Sequence, residues 1–490
     1  MNNSPVMTPL STLSESMATP FLSLDVLMAS SRSDAFLVAY HAQSFHEQSD
    51  HAAHAKTIVT WATWHTDVQR LTVALQSHPA QKWALCFDDS YQFAVAFMAA
   101  THAGKHLILP GNHQPDALLA LAEHFDAILH DRAHYDGLTC PQWRVSAERE
   151  PAYLAESSIS ANTYAFTTLA LADCRLTLFT SGSSGVPKAI EKTLADLAEE
   201  VQHHERTWGT VIAGSRIAST VSHQHIYGLL FRILWPLCAG RAFARHDLVY
   251  PEQVIAHADS DTTLVTSPAL LKRLTDASSA NPYRAVYSSG GPLSHEAAQN
   301  SHTLFTQWPI EVFGSTETGG IAFRQQHDPQ TPWQVFDVID VVLNAEGCLR
   351  IRSPFVDAAQ WYQTSDQCQL LDHRQFLLLG RVDRIVKIEE KRISLTEVEA
   401  RLCALPWVKE VAVLVLEDPR RVSLGAVLTL TADGEAELET LGKGAFWLAL
   451  RQALRRWLEP VGIPRRYRVV DDIPLNSQGK RLVRDLETLF

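Results

Sequence analysis

At 490 residues the chain is too long for one ordinary hydrophobic core, and its composition, 46% hydrophobic and 20% charged, excludes a fibrous or intrinsically disordered protein. Its formal net charge of −12 argues against broad nucleic-acid binding, because a phosphate backbone rewards an excess of Lys and Arg. The 7 cysteines (Cys86, Cys140, Cys174, Cys238, Cys348, Cys368, Cys403) are scattered, with no C-x-x-C pair, and read as reduced thiols of a cytoplasmic protein.

Residues 1–20 are rich in Ser, Thr and Pro and hold no Lys or Arg; without a basic start or an apolar run they are no secretory signal, and they are expected to be disordered. No stretch approaches the roughly 18 apolar residues of a membrane-spanning helix, so no membrane span is expected. From Val68 onward, strand and helix patterns alternate. Val68–Gln76 has helical spacing, Trp83–Phe87 is a strand-like run, Phe93–His102 is helical and His106–Pro110 reads as a strand. Ala117–His124 then reads as a helix and Ala127–Leu129 as a strand. The rhythm returns at Thr263–Thr266 and Leu270–Leu274, then at Ala285–Tyr287 and His295–Leu304. Such alternation predicts parallel sheets with helices on their faces. The expected fold class is α/β: a large domain over 21–380, made of two α/β layered subdomains plus a small β-rich part. After about Gly380 the pattern changes: a helix at Leu395–Leu405, strands at Val411–Leu416 and Leu424–Leu430, an amphipathic Phe446–Leu458 and a last strand at Tyr467–Val470. These predict a small, compact α+β domain over 381–490.

The segment richest in chemistry is Leu176–Lys188. An apolar run enters Thr180-Ser181-Gly182-Ser183-Ser184-Gly185, then Lys188, then the helical Leu194–His203. Glycines let backbone N–H groups curl around phosphate oxygens, and hydroxyls add donors. The spacing is neither that of a Walker loop nor of a serine-hydrolase elbow. Alone, a Ser/Gly run reads equally as a flexible connection. It is followed in order by His225-Ile-Tyr-Gly228, Ser288-Ser-Gly-Gly-Pro-Leu293, Phe313-Gly-Ser-Thr-Glu317, Tyr362-Gln-Thr-Ser-Asp366, Gly380-Arg-Val-Asp383-Arg-Ile-Val-Lys387 and Pro474-Leu-Asn-Ser-Gln-Gly-Lys480.

In order and spacing this series resembles the adenylate-forming ligase superfamily, which holds acyl- and aryl-CoA synthetases, peptide-synthetase adenylation domains and luciferases. The likeness runs from about Trp61 to Lys480. It implies activation of a carboxylic acid by ATP and Mg²⁺ to an acyl-adenylate, then transfer to a thiol of CoA or of the phosphopantetheine arm of an acyl carrier protein. By the same resemblance Thr180–Lys188 holds the β- and γ-phosphates, Thr316 donates to the α-phosphate and Glu317 helps hold Mg²⁺, a hard cation suited to carboxylate oxygen. Gly290, Gly291 and Pro292 wall the adenine, Phe313 stacks on it beside Gly314, and Asp366 with Arg381 grips the ribose. Lys480 is the implied catalytic cation, bridging acid and α-phosphate in the in-line displacement. His225 stands at the acid pocket, although a packed core histidine is the plainer reading of that residue. The histidines at 203–204 and 223/225 suggest metal ligation only faintly, because no Cys/His quartet accompanies them. A hinge near Asp383 is implied as well.

Four positions depart from the pattern. Phe313 stands for Tyr, Ser365 for Gly and Asn476 for Thr, while Glu390 stands for a Gly near the acceptor thiol path and leaves the acceptor open. The segment after His225 lacks the Phe-Asp pair that binds an α-amino group, so a fatty or aromatic acid fits better than an amino acid. Arg455, Arg456, Arg465, Arg466 and Arg468 suit an acidic carrier, though a solvated basic face explains them more simply. The alternative reading is a degenerate relative that binds nucleotide or acyl groups without turnover; retention of Glu317, Asp366, Arg381 and Lys480 argues against it.

Overall fold

The structure, a computed structural model, describes residues 20–41, 58–111, 113–132, 134–145, 164–181, 187–274, 280–381, 384–388, 391–418, 421–458, 460–475, 481 and 483–490. By their contacts the residues group into two compact units. One holds Met1–Thr180, Pro187–Thr331 and Pro354–Ala358, and the other Ser181–Val186, Pro332–Ser353 and Ala359–Phe490. Of the N-terminal stretch expected to be disordered, 1–19 lie outside the described residues, as does the expected hinge residue Asp383.

The first unit is built on two sheets. One runs in the order Gln142–Arg144, Ala127–His130, Lys82–Cys86, His106–Leu109, Arg175–Ser181, Pro187–Thr193. Its first five strands pair in parallel. Strands Lys82–Cys86 and Ala127–His130 read as short apolar runs because both faces are covered. Helix Ser90–His102 is buried almost all round, which explains its Ala- and Phe-rich sequence, and Asp89 caps it by accepting the Tyr91 and Gln92 N–H groups.

The second sheet of this unit runs in the order Gly319–Gln325, Ile310–Ser315, Ala285–Ser288, Thr262–Thr266, Arg216–Ser219, Phe243–Ala244, Leu37–Tyr40, Ile58–Thr60. Its interior pairs are parallel and its two end pairs antiparallel. Leu264, Val286, Ala298 and Phe305 form part of one core beneath it. In a doubly covered parallel sheet, ligands bind outside the carboxyl ends of the strands. The Thr180 loop follows such an end, and so does the Ser289–Pro292 loop.

In the second unit, strands Asp340–Leu343, Cys348–Ser353, Asp357–Leu370, Gln375–Arg381 and Trp333–Val335 lie side by side in that order, in antiparallel pairs wherever register is defined. Beyond them, the hairpin Ile385–Ile388/Lys391–Ser394 leads into helix Leu395–Cys403 and the three strands Val408–Asp418, Arg421–Leu430 and Arg466–Val469. Val398, Leu402, Leu424, Leu428, Phe446 and Leu450 make their shared core. Arg384 fastens the hairpin to this core by two bonds to Glu399, at 2.9 and 2.7 Å. The helix read from the sequence at Phe446–Leu458 forms up to Leu454, as the second part of a longer helix Ala432–Leu454 that is broken at Gly442 (φ 72°). Its first half is mostly exposed, so it carries little apolar periodicity. The fold is that expected: α/β layers in the large part and an α+β arrangement at the C-terminus. Among the described residues no helix is long and apolar enough to cross a membrane.

Candidate active site

Strand Pro187–Thr193 follows directly on the Ser/Gly loop, and residues two apart on a strand share a face. Lys188 and Lys192 therefore point the same way, and both reach the turn between strands Ile310–Ser315 and Gly319–Gln325. Lys188 Nζ donates to Glu317 Oε1 at 2.8 Å. Lys192 Nζ donates to the Glu317 carbonyl oxygen at 3.2 Å and to that of Phe355 at 3.0 Å. The turn is cross-braced internally: Ser315 N–H donates to the Thr318 hydroxyl at 3.0 Å, and Thr318 N–H to the Ser315 hydroxyl at 3.2 Å. Partial burial pushes the Glu317 carboxyl up, but the Lys188 ammonium, a backbone N–H and the Ser315 hydroxyl outweigh it. Its pKa thus falls below the ordinary glutamate value, and the group is an anion at neutral pH.

Behind the turn lies helix Leu194–Trp208, whose N-terminus carries a capping box of Thr193 and Asp196. Glu200 on this helix is buried, and its Oε1 accepts the Gly320 N–H at 2.7 Å. Gly319 has φ +66°, and a Cβ there would fall 2.5 Å from Glu200 Oε2. Burial raises the Glu200 carboxyl to about 7, opposed by the Gly320 N–H and by Lys192. Lys192, also buried, is pushed below the usual lysine value by desolvation, with Glu200, Asp196 and Glu317 acting the other way. Neither Lys192 nor Glu200 was singled out from the sequence. A signal existed, for Glu200 stands on the buried stripe formed by Leu194, Leu197, Val201 and His204.

His225 precedes the short helix Ile226–Gly228 and the π-helical turn Leu229–Leu234. It faces Gly111, where a Cβ would lie 2.6 Å from the Phe179 carbonyl oxygen and 3.2 Å from His225 Cε1. The histidine is half-buried beside the strand that leads to Thr180. His223 is a core residue instead: its Nε2 donates to the Phe87 carbonyl at 3.0 Å and its Nδ1 lies 2.8 Å from the Ser90 hydroxyl. His204 packs against Trp208, Phe231 and Trp235. No group of three or more potential metal ligands of the His/Cys/Asp/Glu type occurs among the described residues. Beyond His225, Tyr227 packs on Phe231 and Phe231 on Tyr287, the last two buried in the core. Gly290, Gly291 and Pro292 are exposed in the loop after strand Ala285–Ser288; Phe313 and Thr316 are half-buried, and Gly314 is exposed.

In the second unit, Asp366 and Arg381 are cross-strand partners, with Arg381 Nη1 3.3 Å from Asp366 Oδ1. Asp366 is buried, and its N–H donates to the Thr364 hydroxyl at 3.1 Å. Among the described predicted positions, Lys188 meets Glu317 and Asp366 meets Arg381. Gly182, Ser183, Ser184, Gly185, Glu390, Asn476 and Lys480 lie outside the described residues, as does the side chain of Ser181.

A parallel α/β layer with loops at the carboxyl ends of its strands, and with Lys188 and Glu317 paired there, has the architecture in which nucleotide-handling enzymes bind their ligands. The chain belongs to the AMP-binding enzyme family: residues 41–347 match that family and residues 397–480 match the AMP-binding enzyme C-terminal domain. It is 26% identical over 302 residues to 4-coumarate–CoA ligase of Rhodobacter capsulatus, covering 61% of this chain and 73% of that one. Its fold is that of ATP-bound MatB from Rhodopseudomonas palustris, with a TM-score of 0.76 and 16% identity over 95% of this chain and 99% of that one. The o-succinylbenzoate CoA synthetase of Bacillus subtilis, solved with an acyl-adenylate intermediate, aligns with a TM-score of 0.72 and 17% identity over 94% and 98% of the two chains.

Proposed function

We propose that this enzyme joins a carboxylic acid to AMP at the expense of ATP, releasing pyrophosphate, and then passes the acyl group to a thiol. The observation that carries this reading is the Lys188–Glu317 pair, which joins the strand leaving the Ser/Gly loop to the Thr316–Glu317 turn. A cation and an anion side by side, each partly exposed, suit a triphosphate and its metal: Lys188 turns to phosphate oxygens and Glu317 is released to the metal. Glu317 fits Mg²⁺ because it is an ionised hard-oxygen donor, and this ion is typically held by one or two carboxylates plus substrate phosphates. When bound, Mg²⁺ would neutralise charge on the departing pyrophosphate.

The roles of the remaining residues are part of the proposal. Thr180 and the loop to Gly185 take the β- and γ-phosphates, and Thr316 donates to the α-phosphate. Gly290–Pro292, Phe313 and Gly314 take the adenine, and Asp366 with Arg381 the ribose. His225 lines the acid pocket, and Lys480 stabilises the charge that develops as the carboxylate attacks. Residues 381–490 act as a mobile domain with a hinge near Asp383. The half-buried Tyr227 close after His225, and the lack there of a Phe-Asp pair for an α-amino group, favour an apolar acid, fatty or aromatic. The acceptor is a phosphopantetheine thiol, of CoA or of an acyl carrier protein. A cytoplasmic location accords with cysteines that are all free of disulfides.

The test is pyrophosphate release from MgATP across fatty, benzoic and cinnamic acids, with hydroxylamine to trap acyl-adenylate. Each acid is run without acceptor, with CoA and with holo carrier protein. Acid-dependent release with hydroxamate formation is expected, and the acceptor lanes identify the thiol. MgATP binding with no release for any acid would favour a binder that does not turn over.

A further inference from the structure

The Thr316–Glu317 turn joins strands Ile310–Ser315 and Gly319–Gln325, and its backbone is gripped from behind by two buried side chains, one an amine and one a carboxyl. Lys192 Nζ holds the Glu317 carbonyl at 3.2 Å and the Phe355 carbonyl at 3.0 Å, and Glu200 Oε1 holds the Gly320 N–H at 2.7 Å. Lys192 is 7% exposed and Glu200 2%, so neither reaches a ligand through solvent. Burying two such groups costs several kcal/mol each before compensation, and a surface turn needs neither for its own stability. Here the compensation is specific: each group favours the charged form of the other, and each also bonds a main-chain group of the turn or its neighbour. Gly319, at φ +66°, vacates the space that the Glu200 carboxylate fills.

Two further details give the grip a direction. Lys188 and Lys192 stand on the same face of one strand and seize the same residue, Lys188 by its side chain and Lys192 by its carbonyl. The strand that begins at the end of the Ser/Gly loop is therefore fixed in register against the turn even when Lys188 lets go of Glu317 to meet a phosphate. Glu200 fixes the far side of the turn in the same way, at the strand residue paired with Gly314.

We infer that Lys192 and Glu200 are positioning residues for adenylation, a buried bracket that keeps the Thr316–Glu317 turn in register with the strand leaving the phosphate loop. The inference rests on the adenylation reading of that turn. It predicts that losing the bracket slows chemistry more than it weakens binding, because loosely held donors still collect ligand but no longer meet the transition state in place.

The full-length enzyme is compared with Lys192→Met, Glu200→Leu and Glu200→Gln, the last of which keeps an acceptor for the Gly320 N–H. Hydrogen exchange of the peptide spanning 315–320 reads the bracket without reference to activity. Acid-dependent ATP–pyrophosphate exchange reads its consequence. Lys192→Met and Glu200→Leu are expected to speed amide exchange in 315–320 at least tenfold and to lower kcat about tenfold or more, with KM for the acid within about twofold of wild type. Glu200→Gln is expected to restore both. Unchanged 315–320 exchange in both disruptive variants, or Glu200→Gln as impaired as Glu200→Leu, overturns the inference. A wild-type enzyme silent over the whole acid panel refutes the adenylation reading instead, and the hydrogen-exchange comparison still decides the bracket. Should Lys192→Met fail to fold, the Glu200 pair carries the test alone.

Discussion

Lys188 and Glu317 meet at 2.8 Å across 129 residues of sequence, one leaving the Ser/Gly loop and the other crowning a turn between two strands. An ion pair this exposed adds little to stability, on the order of 0–1 kcal/mol, so its value lies in where it puts the two charges. Glu317→Gln is expected to lower kcat for acid-dependent pyrophosphate exchange about 100-fold and to raise the Mg²⁺ concentration needed for half-maximal rate. Lys188→Met is expected to slow the same reaction while leaving the Mg²⁺ requirement in place. Both variants should melt within a few degrees of wild type. An identical Mg²⁺ titration for wild type and Glu317→Gln would remove the carboxylate from the metal site.

Asp366 and Arg381 face each other across an antiparallel pair, the carboxylate buried and the guanidinium half-exposed. A carboxylate offers about four lone-pair sites on its two oxygens and so suits hydroxyl donors such as those of a ribose. Asp366→Asn is expected to raise KM for MgATP about 10- to 100-fold, as loss of a charge-assisted hydrogen bond does, with a smaller effect on kcat. Arg381→Ala should act in the same direction. Isothermal titration with ATP separates this from misfolding: a variant that melts like wild type and still binds with wild-type affinity rules out the ribose assignment.

Much of this was legible in the sequence, and what was not has identifiable causes. Strands such as Lys82–Cys86 and Ala127–His130 were readable because parallel strands covered on both faces are continuous apolar runs. The antiparallel ribbon from Asp340 to Arg381 was not resolved into strands, because its longest member, Asp357–Leu370, opens with exposed residues and then buries Thr364, Asp366 and Cys368 at alternate positions rather than an apolar set. Lys188, Glu317, Asp366 and Arg381 were found through ordered motifs. Lys192 escaped because its partners are main-chain groups, which leave no residue-type signature, and for Glu200 the only sign was its place on a buried helical stripe. His223 looked like a possible ligand beside His225, yet both its ring nitrogens meet polar groups of the neighbouring core, a pairing only the tertiary fold creates.

Gly319 tests the packing behind the turn. Its φ of +66° disfavours any side chain, and an added Cβ would strike the Glu200 carboxylate at 2.5 Å. Gly319→Ala is expected to cost about 1–3 kcal/mol from backbone conformation, with more from displacing Glu200. Urea denaturation measures the loss. If the steric clash contributes, Gly319→Ala combined with Glu200→Ala should be less destabilised than the two single effects added together. Strict additivity would mean that the backbone term acts alone.

Acid sensitivity follows from histidines buried in neutral form. Burial lowers His102 and His130 to about 4, each also repelled by a neighbouring histidine, and drives His204 and His223 well below the ordinary value of 6.5. Below pH 6.5 the unfolded chain takes up protons that the folded one refuses. Stability is therefore lost as pH falls from about 6.5, and for His102 and His130 the loss levels off near 4. Allowing for water near the rings, each of these two contributes on the order of 1–2 kcal/mol. Glu200 works against them: its carboxyl is raised from 4.5 to about 7, so its contribution is full below pH 4.5 and is lost as pH rises through 7. Burial also raises Asp67 and Asp131, on the side of Glu200, and lowers His41, His78 and His106, on the side of the histidines; seven histidines against three carboxyls leave a net fall toward acid. Replacing His102 and His130 together by Gln is expected to flatten the decline of Tm between pH 7.5 and 4.5, whatever it does to Tm at neutrality. Parallel curves for wild type and double variant would show that the acid lability arises from other groups.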